Sequence, residues 1–421
     1  MHIKRRKWQQ VDNVANMFLA TYNRRDPRVM RVSCTLKEEI DPAVLQDALN
    51  ATVSIRPQFQ VKIHRGMFWR YIEETQDMPV VSKEKDRICP QLYFQDRPER
   101  PLYKVTWFNN RINMDIFHAI SDGTGAMEFL NILVVEYLRR VHPEVIKDIH
   151  FYGEETSEEL TENSFKTNFD KDRHTPLIPE SNKIAYHPPY RKLPFDQLQF
   201  FEAHMPLGIV KDRAKNFGVT VSSYIGAAMM MGIIDSMPAG KRKKPVTISM
   251  PVNLRNFYKS SSLRNFFNNV SITHIYDGKE TLKTLSVEYQ KKLTDELEPE
   301  KVKDQMNYFQ GFQNQWAVRA VPLALKEPGL NFFAKQNEKR VSAVLSNIGV
   351  VKFPNEIGNY IDHFTGYCSS ENPFVVLCSF KDVLTLGIAY PYSDPKIIRK
   401  FINILSEKGI PVKLYATEVV R

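Results

Sequence analysis

Cysteine is scarce in this chain, with four residues in 421: Cys34, Cys89, Cys368 and Cys378. None forms a Cys-x-x-Cys pair, which excludes a disulfide framework and a cysteine zinc site, and suits a reduced, cytoplasmic protein. Long apolar runs are also missing. The longest, such as AAMMMGII at 227–234, fall short of the roughly 18–20 residues that span a bilayer, and the Met run reads as core. The opening MHIKRRKWQQVDN has basic residues without an apolar stretch behind them, so no signal peptide is expected. No G-x-S-x-G elbow, Walker A loop, H-E-x-x-H or G-x-G-x-x-G after a strand occurs. Serine-hydrolase, NTPase, zincin and Rossmann chemistry therefore have no footing, and no metal site is expected. Zinc-finger spacing and RNP-like aromatics are absent too, so nucleic acid is not the expected partner of the basic charge.

What is present is a large apolar complement, 43% hydrophobic and 11% aromatic. At typical domain sizes of about 100–200 residues, this suits two or three packed units. The formal net charge of +10 draws anionic partners. It is spread along the chain except for KRRK (4–7) and GKRKK (240–244). The first, next to Trp8, suits at most a peripheral contact with an anionic membrane.

The pattern predicts a helix over 40–52 capped by Asp41 with Pro42 behind it. It also predicts a hairpin over 60–74 and two strands joined at Asn109–Asn110. Met127, Leu130, Val134, Tyr137, Leu138 and Val141 have helical spacing. In the second half a helix ends near Gly218, a buried helix starts near Ser222 or Ser223, and a strand runs from Val246 to near Arg255. A last helix is bracketed by Asp394, Pro395 and Gly409. Residues 151–195 are polar, charged and proline-bearing, and read as a solvated linker between lobes 1–150 and 196–421.

Between the Asn109–Asn110 strand pair and the following helix lies HAISDG, residues 118–123. A loop between rigid elements presents a side chain with precision. A neutral imidazole, with an ordinary pKa of about 6.5, takes up a proton at neutral pH. Asp122, at the mouth of a helix, suits capping or an arginine partner. Gly123 and Gly125 suit backbone conformations closed to other residues. A structural histidine at a strand end is the alternative reading.

This strand–loop–helix unit resembles the H-x-x-x-D-G motif of the acyl-CoA-dependent acyltransferase superfamily. That superfamily includes chloramphenicol acetyltransferase, plant BAHD acyltransferases, alcohol acetyltransferases, mycobacterial polyketide-associated acyltransferases and condensation domains of peptide synthetases. MPVNLRNF (250–257) is similar to its segment whose Arg pairs with the motif Asp, and LSNIGVV (345–351) to a Ser-Asn-x-Gly turn lining its tunnel. Condensation domains carry a second His where this chain has Phe117, and the D-F-G-W-G segment of the BAHD group is missing. SSENPF or KDVLTLGIAY stands in that region. The nearest resemblance is thus to microbial alcohol acetyltransferase-like proteins.

The resemblance implies an α/β fold of two similar lobes, each a mixed sheet with helices, and an active-site tunnel between them. It implies transfer of a short or medium acyl group from acyl-CoA, a co-substrate and not a tightly bound cofactor, to a small alcohol or amine. His118 would be the general base. Asp122, salt-bridged to Arg255, and Gly123 would be structural. Asn253, Ser346 and Asn347 are candidates for lining the tunnel, Ser346 also for donating to the oxyanion, with turn and strand-end roles as the alternative. GKRKK is a candidate for the phosphates of coenzyme A, or a solvated connection. Two other readings remain open: an enzyme taking its acyl group from a carrier protein, and a non-catalytic binding relative.

Overall fold

The computed structural model describes residues 8–416, apart from 86, 98, 147–148, 150, 154, 174–182, 194–196 and 315–319. Lys4–Lys7 lie outside the described residues. Fifteen strands are described: β1 (Trp8–Gln10), β2 (Val29–Leu36), β3 (Val61–Arg65), β4 (Arg70–Glu74), β5 (Ser82–Lys83), β6 (Tyr103–Phe108), β7 (Arg111–Phe117), β8 (Gln199–Pro206), β9 (Val246–Asn253), β10 (Phe267–His274), β11 (Ala343–Val351), β12 (Ile361–Cys368), β13 (Phe374–Phe380), β14 (Val383–Tyr390) and β15 (Lys413–Ala416). Helices of nine residues or more are α1 (Asn13–Thr21), α2 (Pro42–Ile55), α3 (Gly123–Val141), α4 (Leu207–Asn216), α5 (Val221–Ile234), α6 (Leu282–Glu296), α7 (Pro299–Asn314), α8 (Leu323–Lys339) and α9 (Lys396–Glu407).

Two mixed sheets organise the chain. One has the order β12-β2-β7-β6-β5, the other β10-β9-β11-β13-β14-β8-β15. In the first, only β5–β6 is parallel; in the second, β11 runs parallel to both β9 and β13. Each sheet packs helices over an apolar core: α2 and α3 on the first, α4, α5, α6 and α9 on the second. The fold is therefore the expected α/β pair of lobes. A third, small antiparallel sheet, β1-β4-β3, lies beside them.

Local signals explain the elements that position the site. Asp41 caps α2 by accepting from the Ala43 and Val44 amides, and Leu45, Ala48 and Leu49 turn inward. Asn109 takes the left-handed φ of 50° that its turn requires, as asparagine tolerates. Met229 and Met230 are core. Asp394 caps the start of α9, which begins one residue after Pro395, and Gly409 ends it with φ 73°.

The division at 195 needs correction. Strand β12, from the second half, pairs antiparallel with β2 as the edge of the first sheet. Ile361, Phe364 and Tyr367 accordingly belong to the first core. The two sheets touch closely where Gly387 in β14 faces the carbonyl of Gly366 in β12, leaving no room for a Cβ. Nor is the described part of 151–195 a free tether. Leu160, Phe165, Ala185 and Tyr186 are buried, Leu263 N–H donates to the Leu160 carbonyl at 2.9 Å and Tyr186 N–H to that of Pro245 at 2.7 Å. A few apolar residues inside a polar stretch are enough to pin it, while its Glu158 and Glu159 stay in solvent.

Candidate active site

His118 follows the last residue of β7. Its amide donates to the Arg28 carbonyl at 2.8 Å, extending the β2–β7 pairing by one step, and the Ile120 amide then closes a turn onto Phe117. The ring sits at the seam between lobes. Phe18 of α1 lies 4.5 Å from it and Phe267 of β10 5.7 Å, centroid to centroid.

Asn265, from the segment leading into β10, fixes that ring. Its Nδ2 donates to the His118 carbonyl at 2.9 Å. This turns Oδ1 toward His118 Nδ1, 3.2 Å away. With Oδ1 as acceptor, Nδ1 carries the proton and Nε2 keeps its lone pair. Nε2 has no hydrogen-bond partner among the described residues. Burial lowers the pKa of the imidazole, opposed by its own carbonyl, the Asp122 charge and the Asn265 hydrogen bond.

The segment bearing Asn265 is clamped to the first lobe by two aspartates, each of which also caps a helix. Asp122 accepts from the Thr124 and Gly125 amides at the start of α3. Its Oδ2 takes Arg255 Nη1 at 2.7 Å and the Phe266 amide at 3.0 Å. Arg255 extends the grip by donating to the Ser262 and Arg264 carbonyls. Asp12 caps α1 through the Ala15 amide and pairs with Arg264 at 3.5 Å. Burial pushes the Asp12 carboxyl up, with Arg264 pulling it back. Ser121 Oγ adds a bond to the Leu263 carbonyl at 2.7 Å.

No protein-family model matches the chain and no curated protein matches its sequence. Solved structures do. TRI101 of F. sporotrichioides, crystallised with coenzyme A and T-2, is 12% identical with a TM-score of 0.61, covering 97% of this chain and 99% of its own. The TRI3 trichothecene 15-O-acetyltransferase from Fusarium sporotrichioides is 12% identical with a TM-score of 0.61, over 97% and 95%. The first condensation domain of the CDA synthetase is 13% identical with a TM-score of 0.61, over 97% of each chain. The chain therefore shares the two-lobed fold of these acetyltransferase and condensation-domain structures.

Within this fold the remaining candidates fall in different places. Asn253 caps the short turn Leu254–Asn256, accepting from the Arg255 amide, and its Nδ2 donates to Thr124 Oγ1 at 3.1 Å. It ties the Arg255 turn to the start of α3. Ser346 and Asn347 lie not in a turn but within β11, at a bulge where Gly349 takes φ 95°. Asn347 donates to Ser222 Oγ and accepts from the Gly349 amide, so it is a strand-bulge residue. Phe117, at the position of a second motif His, is buried and stacked 5.0 Å from Tyr93.

The two loop glycines differ from expectation. Neither has a positive φ. A Cβ on Gly123 would meet open space, whereas one on Gly125 would overlap Ser121 Oγ and the Leu263 carbonyl. The need is for close approach between lobes, not for backbone freedom. Gly125→Ala should therefore cost at least the 1–3 kcal/mol or so of an overpacked site, while Gly123→Ala should unfold like the parent in urea. Equal midpoints for the two would refute the close approach.

GKRKK lies at the start of β9, roughly 26 Å along the strand from its Asn253 end. Arg242 stacks on Tyr276, 4.5 Å away, and Lys241, Lys243 and Lys244 are exposed. Its lysines thus stand in solvent on the connection into β9. Among the described residues one cluster has metal-ligand spacing, Glu202 with His204 and His363. Its cation is already supplied. Arg111 binds Glu202 through both oxygens at 2.8 and 2.9 Å, and Tyr367 and His204 donate at 2.6 Å each. Burial opposes ionisation of Glu202, yet hydrogen bonds from His204, His363 and Arg111 hold its carboxyl well below the usual range.

Sequence reasoning missed Asn265, Asp12, Arg264, Phe18 and Phe267. Only Asp12, directly before the NVANMFLAT run of α1, carries a local sign, that of an N-cap.

Proposed function

We propose that the protein transfers an acyl group from coenzyme A to a small alcohol or amine, with His118 as general base. The observation that carries this reading is the Asn265 contact, which leaves Nε2 as the basic nitrogen at the seam. The coenzyme A bound by a protein of the same fold, and the acetyltransferase activity named for another, support the donor. In the reaction, the acceptor O–H or N–H gives its proton to Nε2 as the oxygen or nitrogen attacks the thioester carbonyl. Collapse of the tetrahedral intermediate expels the thiolate, which takes that proton back from Nε2. Phe18 and Phe267 keep water from the ring and suit an acceptor with apolar surface. Ser346 remains the proposed donor to the oxyanion. Four buried, unpaired thiols suit a reducing cytoplasm as the location.

The test is thiol release. The protein is incubated with acetyl-CoA and a panel of alcohols and amines, and free coenzyme A is followed with a thiol reagent. Acceptor-dependent release is expected, and its absence for every pairing would overturn the donor assignment. The condensation domain of equal similarity makes a carrier-bound thioester the second donor to try.

The pH profile tests the base separately. The neutral imidazole is the active form, and burial lowers its pKa. kcat/KM should be level around neutrality and fall only on an acid limb below pH 6.5. Asn265→Ala removes a bond that favours the protonated ring, so its limb should move further down. A limb above pH 6.5 in the parent would rule out this environment for the base.

A further inference from the structure

Helix α8, LALKEPGLNFFAKQNEK, is turned inside out. At about 100° per residue, Leu325 and Phe332 share one line, flanked by Pro328 and Phe333. Lys335 and Lys339 fall on the same half of the circumference. Both acids fall on the other half. The structure points the apolar half at solvent: Leu325, Phe332 and Phe333 are 70, 60 and 66% exposed. The acids face the protein, Glu327 against Arg65 and Arg70 and Glu338 against Arg28. Lys335 and Lys339 have no acidic partner among the described residues.

The apolar surface continues onto a neighbouring element. The Leu323 amide donates to the Met67 carbonyl at 2.9 Å and Lys326 Nζ to that of Phe68 at 3.2 Å, which seats the β3–β4 tip beside the start of α8. There Met67 is 71% and Trp69 42% exposed. Contiguous apolar surface of this kind marks an interaction site.

Charge decides the occupant. The face is apolar and cationic, with its acids withdrawn and neutralised. A second copy would set these lysines against their own kind on a chain of net charge +10. An anionic bilayer matches both features. Leucine and aromatic side chains enter the boundary between headgroups and acyl chains, and lysines beside them reach up to the phosphates. We propose that the outer face of α8 with the 66–69 tip docks on an anionic lipid surface.

The test is flotation of the full chain with vesicles of phosphatidylcholine alone or mixed with phosphatidylserine, at low and high salt. Binding to the mixed vesicles, weakened by salt, is expected. The double variants Phe332→Ser with Phe333→Ser and Lys335→Glu with Lys339→Glu change only exposed side chains, and circular dichroism checks their fold. Each should bind roughly tenfold or more weakly. No flotation with the mixed vesicles, or binding that neither variant weakens, overturns the proposal. So does a dimer that the serine variant dissociates, which would give the face to a second copy.

Discussion

Replacing His118 by alanine should remove most of the thiol release and leave the fold standing. Among the described residues the ring makes one side-chain hydrogen bond, to Asn265, and rests on two aromatic rings. Its loss leaves Asn265 still held by the His118 carbonyl, which alanine retains. Proton transfer by a positioned base contributes roughly 10²–10⁴-fold, and on the proposed role the drop should lie in kcat and not in KM. Parallel thermal unfolding of variant and parent separates the two effects. A variant that turns over normally would sink the general-base assignment, and one that is inactive because it is unfolded would show the ring to be structural.

The second large effect is on stability. The Asp122 and Arg255 side chains are only 6% and 12% exposed. Removing one partner of a buried pair leaves the other charged and unmatched, at a cost of about 3–5 kcal/mol. Asp122→Asn should fall in this range: its amide nitrogen would replace the oxygen that accepts from Arg255 and the Phe266 amide, while the remaining oxygen still caps α3. Arg255→Ala should do at least as much damage, because the Ser262 and Arg264 carbonyls lose their donor as well. Urea unfolding measures both. Midpoints equal to the parent's would mean that the pair contributes nothing to closure of the seam.

The sequence was readable where the physics is local. A cap such as Asp41, a turn such as Asn109–Asn110 and the helical spacing from Met127 to Val141 each lie within one element, and together they place HAISDG between a strand and a helix. What escaped depends on partners far along the chain. Asn265 meets His118 across 147 positions, and no spacing rule links a side chain to a loop that distant. β12 falls in the second half of the chain, and its pairing with β2 leaves no periodic trace in the sequence. Gly125 and Gly123 look alike in sequence, and only the neighbouring Leu263 carbonyl distinguishes them. The stretch 151–195 looks like a free tether because a few buried apolar residues do not shift its composition.

The double duty of Asp12 and Asp122 has a consequence for motion. Each carboxylate starts a helix of the first lobe and also holds an arginine of the segment that carries Asn265. Should the halves part, both anchors let go, Asn265 withdraws, and the imidazole is free to adopt its other tautomer. Either tautomer keeps one lone pair, but nothing then holds that lone pair at Nε2. Shutting the seam and aiming the imidazole would be one event.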